Sequence, residues 1–193
     1  MRVLRLEGTE RIRRNIKEIE RKLNVKINFN GKTIQILGDP IDEEVADRAI
    51  EAIDMGFPIQ EALILRDDDF VFNKLNIKDL TRRHDLERVR ARLIGTKGKT
   101  LRTLEDMSHC SIVLHGNFIG IIGRNEDILA GINCVKNVVS GLKESSVFSM
   151  LDRRAITRAA EISQIKEEAL ELEEERRKKK KEFEKERKVK GKK

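Results

Sequence analysis

A block of this sequence recurs 85 positions further on, without a gap. Gly31-Lys32-Thr33-Ile34-Gln35-Ile36-Leu37-Gly38 resembles Gly116-Asn117-Phe118-Ile119-Gly120-Ile121-Ile122-Gly123. The same shift carries Gly56 onto Gly141, Ile27 onto Ile112, Ile16 onto Leu101 and Ile19 onto Leu104. Turn and core positions are the ones that geometry restricts most, so their coincidence at one shift predicts a duplicated fold of about 60–75 residues per copy. A chain of 193 residues has room for two such copies and an extension.

Each copy carries the same order of patterns. Ile12, Ile16, Ile19 and Leu23 share one helix face, as do Leu101, Leu104 and, less cleanly, Met107. Alternating strands follow at Val25–Phe29 and Ser111–His115, then a turn at Gly31 or Gly116, then second strands at Thr33–Leu37 and Phe118–Ile122. Asp39-Pro40-Ile41-Asp42 and Arg124-Asn125-Glu126-Asp127 start the last helices, which Gly56 and Gly141 stop. A short strand before the first helix is expected at Val3–Leu6 and at Leu86–Arg90. The order β-α-α-β-β-α predicts a three-stranded sheet with helices on one face, an α+β class.

The expected organisation is a first domain over 1–57, a helical linker over 58–80, a second domain over 81–154 and a charged helical or disordered tail over 155–193. In the linker, Pro58 favours a helix start near Ile59, and Phe70, Val71, Phe72, Leu75 and Ile77 are expected to glue the domains together. The net charge of +7 is unevenly spread. Arg176 to Lys193 carries twelve Lys/Arg against three Glu, which leaves the first 175 residues at −2. Within that near-neutral body, Thr81 to Thr103 holds eight basic residues against Asp85 and Glu87. Such an island favours an anionic partner, nucleic acid first. The tail either adds salt-sensitive affinity for RNA or is simply solvated.

The island surrounds Arg92-Leu93-Ile94-Gly95-Thr96-Lys97-Gly98-Lys99-Thr100-Leu101, a GxxG loop opening an amphipathic helix and followed by two strands. In that context it resembles the KH RNA-binding domain, and the duplicated pattern predicts two tandem type I KH domains. Two glycines let a sugar-phosphate backbone approach the main chain closely. A helix N-terminus offers unpaired N–H groups to an anion. Lys97 and Lys99 add charge. Such loops grip about four nucleotides of single-stranded RNA. Ile94, Leu101, Ile112 and Val113 are candidate groove walls, the first two being equally readable as core, and Arg92 or Arg102 would supply polar contacts. The candidate RNA-binding set is therefore Arg92, Ile94, Gly95, Thr96, Lys97, Gly98, Lys99, Arg102, Ile112 and Val113. The alternative is that Gly95 and Gly98 only form a tight helix–helix turn.

The first copy lacks the clamp. The shift places Glu10 where Gly95 stands and Arg13 where Gly98 stands, so the expected loop is Glu10-Arg11-Ile12-Arg13 and carries side chains. That copy is expected to pack on the second domain or on a protein partner, with Arg11, Arg13 and Arg14 keeping a backbone contact open. No Trp or Tyr is present, which argues against rows of aromatic stacking platforms. No catalytic constellation, metal-ligand spacing or cofactor motif is found. His84, His109 and His115 share no ligand pattern, and Asp67, Asp68 and Asp69 read as a solvated turn or helix end. Cys110 and Cys134 form no CxxC pair, which fits a reducing cytoplasm. No apolar run long enough for a membrane span or a signal peptide is seen.

From Met1 to about Arg154 the chain resembles the two-KH-domain ribosome-assembly family known as partners of the Nob-one endonuclease, in its short archaeal form. The resemblance rests on the degenerate first copy, Gly56-Phe57 through Ala62-Leu63 to Asp68-Asp69-Phe70, Ile77-Lys78-Asp79-Leu80, the clamp, and Ser145-Ser146-Val147-Phe148. It implies a non-catalytic protein bound near the 3′ end of 16S ribosomal RNA. It also implies positioning of that endonuclease and contact with the alpha subunit of initiation factor two, and a monomer is expected. The resemblance does not extend to the tail. Two other functions stay open: an RNA regulator or degradation cofactor of KH type, and a protein scaffold with vestigial KH folds.

Overall fold

A computed structural model describes residues 2–153 except 7, 32, 83 and 144, together with residues 156 and 157. Apart from those two, the expected tail over 155–193 lies outside the described residues. The chain divides into a compact unit, Met1–Leu151, and a second unit, Asp152–Lys193. In the second, the Thr157 hydroxyl donates to the Arg153 carbonyl at 3.0 Å.

The first unit holds two three-stranded antiparallel sheets with the same topology. In the first, β1 (Arg2–Arg5) and β2 (Lys26–Asn30) flank β3 (Thr33–Leu37). In the second, β4 (Phe70–Asn76) and β5 (Ser111–His115) flank β6 (Phe118–Arg124). Ile27 pairs with Ile36 and Ile112 with Ile121, so the 85-residue shift preserves register. Helices α1 (Glu10–Arg14), α2 (Ile16–Leu23) and α3 (Pro40–Met55) accompany the first sheet, and α6 (Leu86–Ile94), α7 (Lys99–Ser108) and α8 (Ile128–Ser140) the second. Between them lie α4 (Ile59–Leu63), a 3₁₀ turn at Ile64–Arg66, and α5 (Ile77–Leu80) after β4. A further helix over 145–153 buries Val147 and Leu151 in the second core.

The repeat extends to details that letters alone hide. Helices α2 and α7 both end on a left-handed residue, Asn24 (φ 56) and His109 (φ 52). Glu20 Oε1 accepts the Ile27 N–H at 2.8 Å, and Glu105 Oε1 accepts the Ile112 N–H at 2.9 Å. A Cβ on Gly38 would lie 3.0 Å from Val25 Cγ1, and one on Gly123 2.5 Å from Cys110 Sγ. Each pair is 85 residues apart, so these glycines are fixed by the same close approach of strand to helix end.

Three expectations need correction. Leu86–Arg90 is helix, not strand: Asp85 caps it by accepting the Arg88 N–H at 3.0 Å, and Val89 and Leu93 are buried one turn apart. The missing strand is β4, inside the segment expected as a helical linker. Its apolar residues point both ways, Phe70 and Phe72 toward the first core, Val71 and Leu75 toward the second. A strand covered on both faces loses the alternation that marks strands in sequence. The segment Glu10-Arg11-Ile12-Arg13 is not a loop but α1, which runs into α2 through a single kinked residue, Asn15 (φ −118, ψ 16).

The covering of the second sheet follows from α3. Gly56 ends that helix with φ +112, and Phe57 then turns onto the outer face of β6, fully buried. A Cβ on Gly120 would lie 2.6 Å from its ring, and the Phe72 ring meets it edge-on at 6.1 Å. Arg11 Nη2 donates to the Phe57 carbonyl at 3.1 Å, and Lys74 Nζ donates to Glu51 Oε1 at 2.7 Å. Five successive residues of β6, Ile119–Gly123, are buried in consequence.

Candidate nucleic-acid interface

Helix α6 ends where Gly95 N–H donates to the Ala91 carbonyl at 2.8 Å. Gly95 (φ 71), Lys97 (φ 54) and Gly98 (φ 76) then all adopt positive φ within a 3₁₀ turn closed by Gly98 N–H on the Gly95 carbonyl at 3.2 Å. The two glycines face different surroundings. A Cβ on Gly95 would lie 2.1 Å from Thr100 Oγ1, inside the first turn of α7. A Cβ on Gly98 would meet nothing within 4 Å. Gly95 therefore folds the loop onto α7, while Gly98 presents bare main chain to solvent.

Helix α7 starts directly after that bare residue, which as its N-cap has no side chain to offer the first N–H groups. Lys97 and Lys99 flank it, both exposed. Neither they nor Arg102, exposed on α7, lies within salt-bridge distance of a carboxylate among the described residues. A cleft of about 310 Å³ lined by Ala91, Arg92, Gly95, Thr96, Lys99 and Thr100 runs beside the loop. Oriented N–H groups, an open glycine and two mobile ammonium groups form a surface suited to a phosphate diester.

The rest of the basic island is partly spent inside the protein. Arg90 donates to the Gly116 carbonyl at 3.3 Å and to Asn117 Oδ1 at 3.0 Å. Arg92 donates to the Leu142 carbonyl just past the end of α8. Arg88 sits 3.5 Å from Asp85. Arg92 is thus half-exposed and tied down, while Ile94 is 40% exposed at the loop's edge and Thr96 is exposed beside it. Leu101 is half-buried against the second core.

Ile112 and Val113 do not wall one groove together, because adjacent strand residues point to opposite faces. Ile112 is buried beneath the helices, 2% exposed. Val113 packs under the first core, its Cγ1 3.4 Å from where a Gly56 Cβ would stand. What β5 offers instead is its free edge, since among the described residues its sole partner in the sheet is β6. The Ile112 N–H points out of that edge and is taken by Glu105. By period two, the Leu114 N–H and carbonyl face outward next. Glu105 was not singled out by sequence, although Glu20 at the matching position is its signal. Burial pushes the Glu105 carboxyl above its ordinary range, the Ile112 N–H opposing and Glu61 and Asp106 adding to the rise.

Asp67, Asp68 and Asp69 form an exposed turn in which Asp67 Oδ1 accepts the Asp69 N–H at 3.1 Å, and Asn125 donates to the Asp68 and Asp69 carbonyls at 3.0 and 2.8 Å. Among the described residues, no three His, Cys, Asp or Glu side chains are grouped to hold a metal ion. Nor is any described helix long and apolar enough to cross a membrane.

Residues 71–156 match the second KH domain of PNO1 proteins, described as Eukaryotic type KH-domain (KH-domain type I). Over those residues the second sheet and its helices have a KH-like α+β fold. A KH domain-containing protein of Methanocaldococcus jannaschii is 28% identical over 71% of this chain and 63% of its own length. The pre-rRNA-processing protein pno1 of Emericella nidulans is 28% identical over 69% of this chain and 55% of its own. The chain thus spans less than two thirds of the length of these curated relatives. Among solved structures, Dim2p of Pyrococcus horikoshii, in a complex described as a/eIF2alpha-aDim2p-rRNA, superposes with a TM-score of 0.71. It is 27% identical and covers 79% of this chain and 92% of that one.

Proposed function

We propose that this chain is a non-catalytic RNA-binding factor of small-subunit ribosome assembly. In this reading the loop at residues 95–98 clamps the backbone of single-stranded ribosomal RNA. The observation that carries the proposal is the open main chain at Gly98, at the start of α7 and between two exposed lysines with no carboxylate in salt-bridge distance among the described residues. The pre-rRNA-processing name of one relative and the ribosomal RNA in a structural neighbour support ribosomal RNA as the target class.

The bound nucleotides would lie along α6, the loop and the free edge of β5. Gly95, Thr96, Lys97, Gly98 and Lys99 hold the backbone, Ile94 and Arg102 border the groove, and Leu114 main-chain groups read a base. Arg92 and Ile112 act as supports for the loop and strand. The first half, with the same strand order but no loop, is read as a second KH fold that has exchanged RNA clamping for packing onto the β4-β6-β5 sheet. The 3′ end of 16S ribosomal RNA, the Nob-one endonuclease and the alpha subunit of initiation factor two are the target and partners we propose, for a cytoplasmic monomer.

The test is binding of a 16S 3′-end oligonucleotide as a function of salt. Replacing Lys97 and Lys99 with Ala is expected to weaken binding and to flatten the log–log slope by about 0.7 per lost contact. Unchanged affinity and slope would defeat the clamp. RNA crosslinked in cells that proved to be messenger or small RNA would transfer the same chemistry to a regulator.

A further inference from the structure

The 85-residue shift relates two clefts as well as two folds. Each lies between the C-terminal turn of the middle helix and the start of the next strand. The second-half cleft is lined by Glu105, Asp106 and His109 and is partly closed by Glu61 and Ile64. Its first-half counterpart, about 630 Å³, is lined by Lys17, Glu20, Arg21, Asn24, Lys26 and Leu37. At matching positions Arg21 replaces Asp106 and Lys26 replaces Ser111, while Lys17 keeps the charge of Arg102. Loss of the clamp in the first half is thus accompanied by a gain of positive charge one step along the same surface.

Those charges are available. Lys17, Arg21 and Lys26 are exposed, and none lies within salt-bridge distance of a carboxylate among the described residues. The nearby acids are occupied: Glu20 accepts the Ile27 N–H at 2.8 Å, and Asp42 accepts from Asn24 Nδ2 at 2.8 Å. Lys17 and Arg21 stand one helical turn apart on the solvent face of α2, about 6 Å along its axis. Arg13, by contrast, is held, stacked 4.2 Å over the Phe29 ring, and fills the place of the clamp's Gly98.

We propose that this first-half cleft holds the sugar-phosphate backbone of RNA through Lys17, Arg21 and Lys26, gripping nucleotides that flank those in the clamp. Phosphate is the ligand, and contact is independent of base sequence because Lys and Arg side chains that meet phosphate oxygens carry no sequence information. The inference rests on the RNA-binding reading and extends it to the half without a GxxG loop.

The experiment titrates the full chain with two single-stranded RNAs, one of about four nucleotides, the footprint of the clamp, and one several times longer. In the variant Lys17→Ala/Arg21→Ala/Lys26→Ala, the salt slope on the long strand is expected to fall by about 2, at roughly 0.7 per contact. Affinity for the short strand should not change. The charge-retaining variant Lys17→Arg/Arg21→Lys/Lys26→Arg should bind both as the native chain does. Two short strands per native chain but one per Ala variant would uphold the site and make its source a separate strand. An unchanged long-strand slope, with Lys97→Ala/Lys99→Ala still weakening both strands, overturns this inference alone. A native chain that binds neither strand overturns the RNA reading, and this inference with it.

Discussion

A Cβ at Gly95 would collide with Thr100, whereas one at Gly98 would enter open space. Gly98 is left-handed (φ 76, ψ 13), which costs a residue with a side chain about 1–2 kcal/mol, while Gly95 (φ 71, ψ 178) sits in a region essentially confined to glycine, at about 1–3 kcal/mol. Gly98→Ala should therefore lower the melting temperature by only a few degrees while its methyl weakens RNA binding. Gly95→Ala adds the collision and should cost clearly more stability. Thermal melts beside RNA titrations separate the two; equal losses of stability would contradict this assignment. Glu105 gives a second prediction at this scale. Its pKa is raised on folding by burial, so the folded state binds its proton more tightly than the unfolded chain. Stability is then full below the ordinary glutamate value, near 4.3, and declines as pH rises through the folded pKa. Glu105→Gln keeps an acceptor for the Ile112 N–H without the charge. It should stabilise the protein at pH 7 and lose that advantage at about pH 4, as read by melts across pH.

At the level of elements, the sequence carried what repetition protects. The strands at Thr33–Leu37 and Ser111–His115 and the glycine stops at Gly56 and Gly141 lie where period and spacing put them. The GxxG loop was legible because its residues are local and its glycines unusual in a basic stretch. The first strand of the second copy was not. Leu75 pairs with Ile119 as Leu4 pairs with Ile34, yet Leu75 follows Leu4 by 71 positions rather than 85. The second copy thus carries fourteen extra residues between its first strand and its middle helix, which hold α5, a longer first helix and the clamp. An ungapped shift cannot see an insertion, and a strand buried on both faces shows no alternation. The groove walls failed for a simpler reason: which face a strand residue takes depends on register against β6, which spacing alone does not fix.

At the scale of the molecule, the two halves share an apolar contact in which Phe57, Phe70, Phe72, Val113 and Ile122 take part. Phe57 fills the hollow that Gly120 leaves on the second sheet, so Phe57→Ala should cost about 3–5 kcal/mol. Gly120→Val would drive a branched side chain into that ring. Both should lower the melting temperature without touching Lys97 or Lys99, and the surviving folded fraction should retain the native salt slope for RNA. A slope that changed in step with stability would mean that the loop depends on the first half for its shape. The same covering separates what is inherited from what can stand alone. Residues 71–156 are recognisable as one domain, yet cut free they would turn Phe72, Val113 and Ile122 out to water beside the unfilled notch at Gly120. Such an excised fragment is expected to stick to itself unless Phe57 is left attached, or those outer positions are made polar.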